Sequence, residues 1–259
     1  MPSDWQLPPG VTRALWDYLH DPEVARGYDA RLAGTPLLAI DIPFVLEHCR
    51  PPGRILDLGA GTGRLSIALA AQGYQPLAVD LSAEMLKVLG EKAQAAGLDV
   101  PCLCANLASL GCLDDQSFDH AACLFGTLGM IAGADARRAM IGHVFRILRP
   151  GGVFVLHVHN RWFHVWTAGG RRLLLADVFG AWLGRRTAGD YEMPPHQGLG
   201  SLSMHLFTRR EIARLLRAAG FQVTGVRPIG LRNDGVLRWP WWFAGLRSYG
   251  YLVAVRKPS

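Results

Sequence analysis

Residues 54–72 run an apolar strand straight into three alternating glycines and then, with no linker, into a helix. Few folds accommodate that order. Ile55-Leu56-Asp57-Leu58 reads as a strand. Gly59, Gly61 and Gly63 carry no β-carbons, so the backbone there can turn tightly and lie directly against a ligand. The helical run from Arg64 to Ala70 follows at once, and its unpaired first-turn N–H groups point back at the same place. A dinucleotide-binding turn needs a further glycine where this chain has Arg64, which argues against a nicotinamide oxidoreductase.

The rest of the chain repeats the alternation. Strands are expected at 54–58, 76–79, 101–105, 119–125, 153–159, 221–226 and 251–255. Helices are expected at 63–72, after the N-cap Ser82, at 135–148 and at 209–219 with Thr208 as cap. Strands alternating with helices call for a parallel sheet with right-handed crossovers. Residues 11–48 read as helices ahead of this core. Segments 160–207 and 231–248 fall outside the alternation and read as insertions over the ligand-bearing edge. The expected organisation is one domain over 1–259, with residues 1–50 as an N-terminal helical cap. A chain of 259 residues with 50% hydrophobic side chains can bury one α/β core and is not disordered.

Charge is segregated. Residues 1–158 carry 12 basic and 16 acidic side chains, whereas residues 159–259 carry 15 and 5 and hold six of the eight tryptophans. A preference for Arg over Lys explains the residue type but not the segregation. A basic, Trp-rich C-terminal part suggests an anionic partner: an acidic small molecule, RNA or a membrane surface. The uncharged stretch from Ala121 to Ala134 has 14 residues and three glycines, short of the ~20 apolar residues a spanning helix needs. The opening residues show no basic-then-apolar leader, so a cytoplasmic location is expected. The five cysteines have no disulfide rhythm and are expected to be reduced.

Five pieces in order resemble the class I S-adenosyl-L-methionine (SAM) methyltransferases. They are the Asp57–Gly63 loop, Asp80 ending the second strand, Ser117-Phe118-Asp119 entering the fourth strand, the turn Leu148-Arg149-Pro150-Gly151-Gly152 before the fifth, and His205-Leu206-Phe207-Thr208 with Ala219-Gly220-Phe221. The chain looks closest to the subset related to ubiquinone/menaquinone-biosynthesis and tRNA wobble-uridine enzymes. The resemblance covers residues 50–230 and implies a Rossmann-like, seven-stranded, mostly parallel sheet with helices on both faces and an antiparallel last strand. It also implies SAM as cofactor.

Asp80, 17 residues beyond Gly63, suits hydrogen bonds to both ribose hydroxyls, as in other adenosine-binding α/β folds. Gly59 and Gly61 allow close cofactor approach, and Gly63 lets the helix pack near the strand. The resemblance further implies that Asp57 organises the loop through backbone N–H groups. Leu81 and Cys123 are expected to flank the adenosine, and Tyr28 to lie over the cofactor. Asn106 departs from the family's usual Asp, although its carbonyl oxygen can still accept a bond from adenine.

A sulfonium already activates its methyl group, so transfer needs mainly positioning and a deprotonated acceptor. His157 and His159 share a face of the fifth strand, whose end is Asn160. His159 and Asn160 are the catalytic candidates. Three histidines without a carboxylate suggest no metal centre. Arg161 and Trp162, with Arg171 and Arg172 beyond, suit a planar or anionic acceptor and are the substrate-binding candidates. His205 is expected to tie the insertion to the core. The expected activity is methyl transfer from SAM to a small molecule, anionic or aromatic. An RNA (tRNA) methyltransferase and a non-catalytic SAM-binding protein are the alternatives.

Overall fold

The computed structural model describes residues 3–166, 169–172, 174–175, 179, 188–193 and 202–259. Seven strands form one sheet: β1 (Arg54–Leu58), β2 (Gln75–Asp80), β3 (Cys102–Cys104), β4 (Phe118–Cys123), β5 (Leu148–His159), β8 (Gln222–Ile229) and β9 (Gly250–Arg256). Their order is β3-β2-β1-β4-β5-β9-β8. The first five strands pair in parallel, and β9 runs antiparallel to both neighbours. This is the expected Rossmann-like sheet with an antiparallel last strand.

Because successive strand residues point to opposite faces, each strand supplies two cores. Leu56, Leu58, Phe154 and Leu156 pack with Met140 and Val144 of α7 (Ala134–Ile147) and with Ile212 and Leu216 of α8 (Arg209–Ala218). Ile55, Val153 and Val155 pack on the other face with Phe44 of α3 (Asp41–His48) and with Leu65 and Leu69 of α4 (Arg64–Ala70). Fully burying one such side chain is worth about 1.5–3 kcal/mol. Ala78 packs with Leu86 and Leu89 of α5 (Ala83–Ala95), whose N-cap Ser82 accepts from Met85 N. A Thr208–Glu211 capping box opens α8.

Three elements differ from the sequence reading. Leu148–Gly152, expected as a turn, lies within β5: Leu148 pairs with Phe118 and Val153 with His120, and the register shifts between them, where Gly151 has φ +78°. Strand β8 extends to Ile229 because β9 pairs with it along that length. Residues 160–207 contain an unforeseen antiparallel pair, β6 (Asp190–Met193) with β7 (Leu202–His205). Ahead of the sheet lie α1 (Arg13–Leu19) and α2 (Pro22–Leu32), and the short α6 (Thr127–Met130) follows β4. Among the described residues no helix is long and apolar enough to cross a membrane.

Candidate cofactor and acceptor site

Strand order reverses at β1, flanked by β2 on one side and β4 on the other. In an open α/β sheet such a reversal opens a crevice at the carboxyl ends of the strands. A cleft of about 110 Å³ lies there, bordered by Gly59, Gly61, Asp80, Leu81, Asn106 and Tyr28. An adjoining compartment of about 70 Å³ shares Tyr28, Gly59 and Gly61 and adds Asp57, Thr62 and Arg64.

The glycine loop is held from β2. One carboxylate oxygen of Asp80 accepts from Gly61 N and the other from Ser82 N, each at 2.8 Å. Burial pushes the Asp80 carboxyl up from its ordinary range, and these backbone bonds oppose the shift. Asp57 does something other than bind loop N–H groups: it accepts the Ser66 hydroxyl at 2.6 Å and is buried, which lifts its pKa to about 6. Asp80 therefore fastens the loop, and Asp57 fastens the first turn of α4.

The three glycines have different jobs. A Cβ on Gly59 would fall 2.5 Å from Thr127 Cγ2, and one on Gly63 would fall 2.3 Å from Leu89 Cγ. Gly63 thus admits α5, not the cofactor, and does not border the cleft. Gly61 faces open space, its nearest neighbour being Tyr28 Cε1 at 3.5 Å from an added Cβ. Tyr28 is held there by its neighbour Asp29, which accepts from Thr62 Oγ1 at 2.5 Å and Lys92 Nζ at 2.7 Å. Arg64 forms a bidentate pair with the fully buried Asp41 and lies 4.8 Å over the Phe125 ring, tying α4 to α3.

Other expected positions separate. Leu81 and Asn106 border the cleft. The Asn106 amide donates to Pro9 O at 2.9 Å and its oxygen accepts from Ala108 N at 3.0 Å. Cys123 does not border the cleft: it is fully buried in the sheet core, which pushes its thiol up to about 12. Sequence reasoning missed the N-terminal wall, where Val11, Leu15 and Tyr18 close the cleft opposite Met130 and Ile131. No local signal marks them, since they are joined to the site through contacts such as Pro9–Asn106 and Gly10 O–Ala132 N.

At the end of β5, Asn160 is a tie and not an acceptor contact. Its amide donates to Gly245 O and Ser248 O at 2.9 and 2.8 Å, its oxygen accepts from Trp162 N at 3.2 Å, and it is buried. His159 stands between His157 and Tyr249, with ring centroids 4.8 and 4.9 Å away, and against Gly126, next to the cleft residue Thr127. Burial, aided by the nearby His164, lowers its pKa to about 4, so the imidazole is neutral near pH 7. The Arg161 guanidinium lies 5.6 Å over Trp162, and neither residue borders either compartment. Arg171 and Arg172 are exposed, while Arg185 and Arg186 lie outside the described residues. His205 accounts for the insertion's hold on the core: its ring nitrogens meet Asp190 at 2.6 Å and Glu211 at 2.7 Å.

A parallel sheet with this strand order, a glycine turn after β1 and a buried acid ending β2 defines a Rossmann-like protein built for an adenosine-containing cofactor. Residues 55–152 match the methyltransferase-domain family. Among relatives, the demethylmenaquinone methyltransferase of Thermus thermophilus is 37% identical over 109 residues, 41% of this chain and 47% of that one. A ubiquinone biosynthesis O-methyltransferase of Xanthomonas axonopodis is 31% identical over 140 residues, 52% and 57% of the two chains. The chain thus spans about half the length of these curated relatives. A SAM-dependent methyltransferase structure from Methanosarcina mazei superposes with a TM-score of 0.68 at 24% identity, covering 83% of this chain and 97% of that one, which shows a shared fold. Residues 55–152 therefore carry a methyltransferase domain, and the fold is the one SAM-dependent methyltransferases share.

Proposed function

We propose that this protein transfers the methyl group of SAM to a small-molecule acceptor in the cytoplasm, working as one domain capped by residues 1–50. The observation that carries the reading is the cleft at the β1/β2 carboxyl ends, where Gly61 leaves open space beside Tyr28 and a buried carboxylate stands alongside. These residues fit the cofactor. Asp80 retains lone pairs for the ribose, Leu81, Asn106 and Leu107 suit the adenine, and Gly59, Gly61 and Tyr28 suit the methionyl part. When bound, SAM supplies a methyl group already activated on a sulfonium.

The chain's own residues then orient and exclude water. The N-terminal wall of Val11, Leu15 and Tyr18 closes the cleft with apolar surface. The His159 imidazole, against Gly126 and next to Thr127, is held neutral with a lowered pKa, so it would orient an acceptor hydroxyl or amine by hydrogen bonding and not carry its proton. Arg161 and Trp162 would sit on the acceptor side through the insertion that starts at the end of β5. Two matched relatives are named for demethylmenaquinone and ubiquinone biosynthesis, which favours a quinone-like aromatic ring as acceptor.

The test is transfer of labelled methyl from SAM into three pools: a quinone-containing lipid extract, an aqueous metabolite extract and total RNA. Label in either small-molecule pool is expected. Label confined to RNA overturns the acceptor class, and no label in any pool with cofactor bound overturns the enzyme reading.

A further inference from the structure

We infer that residues 231–248 form a docking surface for the interfacial region of an anionic lipid bilayer. The segment carries Trp239, Trp241, Trp242 and Phe243, which are 59%, 80%, 50% and 63% exposed. Monomeric soluble proteins rarely leave a contiguous apolar patch of that kind bare. Trp166 extends it, because its indole N–H donates to Leu246 O and joins the two insertions.

The backbone holds these rings outward at a cost. Trp239 and Phe243 have φ of +49° and +44°, a region that bulky side chains seldom occupy. Arg247 braces them: its guanidinium donates to Trp239 O and Trp242 O at 3.2 and 3.0 Å and lies 4.9 Å over the Trp242 ring. Strain kept in an exposed aromatic turn is the kind of outlier that marks a functional surface.

Charge complementarity selects the occupant. The only acid in the segment, Asp234, is paired with Arg232, while Arg238 is exposed with Arg171 and Arg172 on the neighbouring insertion. A second copy would bring two strongly basic C-terminal parts together, which repel. An anionic headgroup layer instead receives both features, since indole rings favour the boundary between apolar and wet phases and arginines are drawn to negative surface potential.

The experiment uses the full chain with vesicles of phosphatidylglycerol mixed into phosphatidylcholine, and with phosphatidylcholine alone, read by co-sedimentation and tryptophan emission. Expected are binding to the anionic vesicles with a blue shift, weakening with added salt, and at least about tenfold weaker binding to phosphatidylcholine alone. A W241E/W242E variant should lose binding to a similar degree while keeping the parent's SAM-induced rise in melting temperature, which shows that it is folded. Failure of the parent to bind anionic vesicles overturns the inference. So does equal binding by the variant, or a parental dimer or RNA complex that the same variant abolishes.

Discussion

Replacing Gly61 by alanine separates the cost of the loop's backbone from the cost of filling the cleft. Gly61 has φ +53°, and an added Cβ meets only Tyr28 Cε1, at 3.5 Å. The fold therefore loses only the left-handed penalty of an L-residue, about 1–2 kcal/mol. In a domain of this size that is a fall of roughly 2–8 °C in melting temperature. In the parent, SAM at a hundred times its dissociation constant adds about 2.7 kcal/mol, or roughly 5–11 °C. A methyl group placed where the cofactor must lie, weakening affinity about a hundredfold, would leave only about 0.4 kcal/mol of that, near 1 °C. Gly73→Ala is the matched control: φ is +80°, nothing lies within 4 Å of the added Cβ, and the residue does not border the cleft. It should show the same backbone cost and the full cofactor response. Gly59 would not serve, because its Cβ would strike Thr127 whether or not ligand is bound. The assay is thermal unfolding with and without SAM. A Gly61→Ala protein that still responds like the parent would remove the cofactor from this loop.

Asp80→Asn should weaken SAM binding at least about tenfold, because it trades charged acceptors of two backbone N–H groups for an amide that must face one of them with its own donor; unchanged affinity by calorimetry refutes the ribose assignment. Asn160→Ala should destabilise the protein by about 2 kcal/mol or more by stranding Gly245 O and Ser248 O. SAM affinity should stay at the parent value, and a loss of turnover in fully folded variant without loss of stability would restore a catalytic role. His205 predicts the alkaline limb of stability. Burial lowers its pKa, but the bonds to Asp190 and Glu211 outweigh that and leave it raised. Its contribution is therefore complete below about pH 6.5 and is lost as pH rises through the folded value. Asp190 and Glu211 are held low despite their burial, by the same ring, so their contributions are lost as pH falls below the ordinary carboxylate range. Melting temperature scanned from pH 6 to pH 9 should decline in the parent and flatten in His205→Gln; identical slopes refute the linkage.

The strand–glycine–helix junction and the alternation that follows are local: a hydrophobic period and a missing β-carbon act within a few residues, so they can be read without knowing what packs where. The same holds for Ser82 and Thr208, whose caps bind N–H groups three residues on. Asp80 is nearly as local, because it ends a strand whose direction the alternation already implies. The positions of Asp57 and Cys123 are not local in this sense, since each depends on which way one side chain turns at a strand end. Cys123 turns into the core, and Asp57 turns to Ser66.

The sheet, its crossovers and the glycine turn follow from residue order alone, since period, turn chemistry and glycine placement are properties of adjacent residues. What closes the cleft and what the end of β5 does depend on packing between distant segments. Pro9 meets Asn106 across 97 positions, and Asn160 meets Gly245 and Ser248 across 85 and 88. Contacts of that separation leave no periodic trace. They arise because buried amides and carbonyls must find partners wherever the fold brings them, and that pairing is fixed only once the chain has packed.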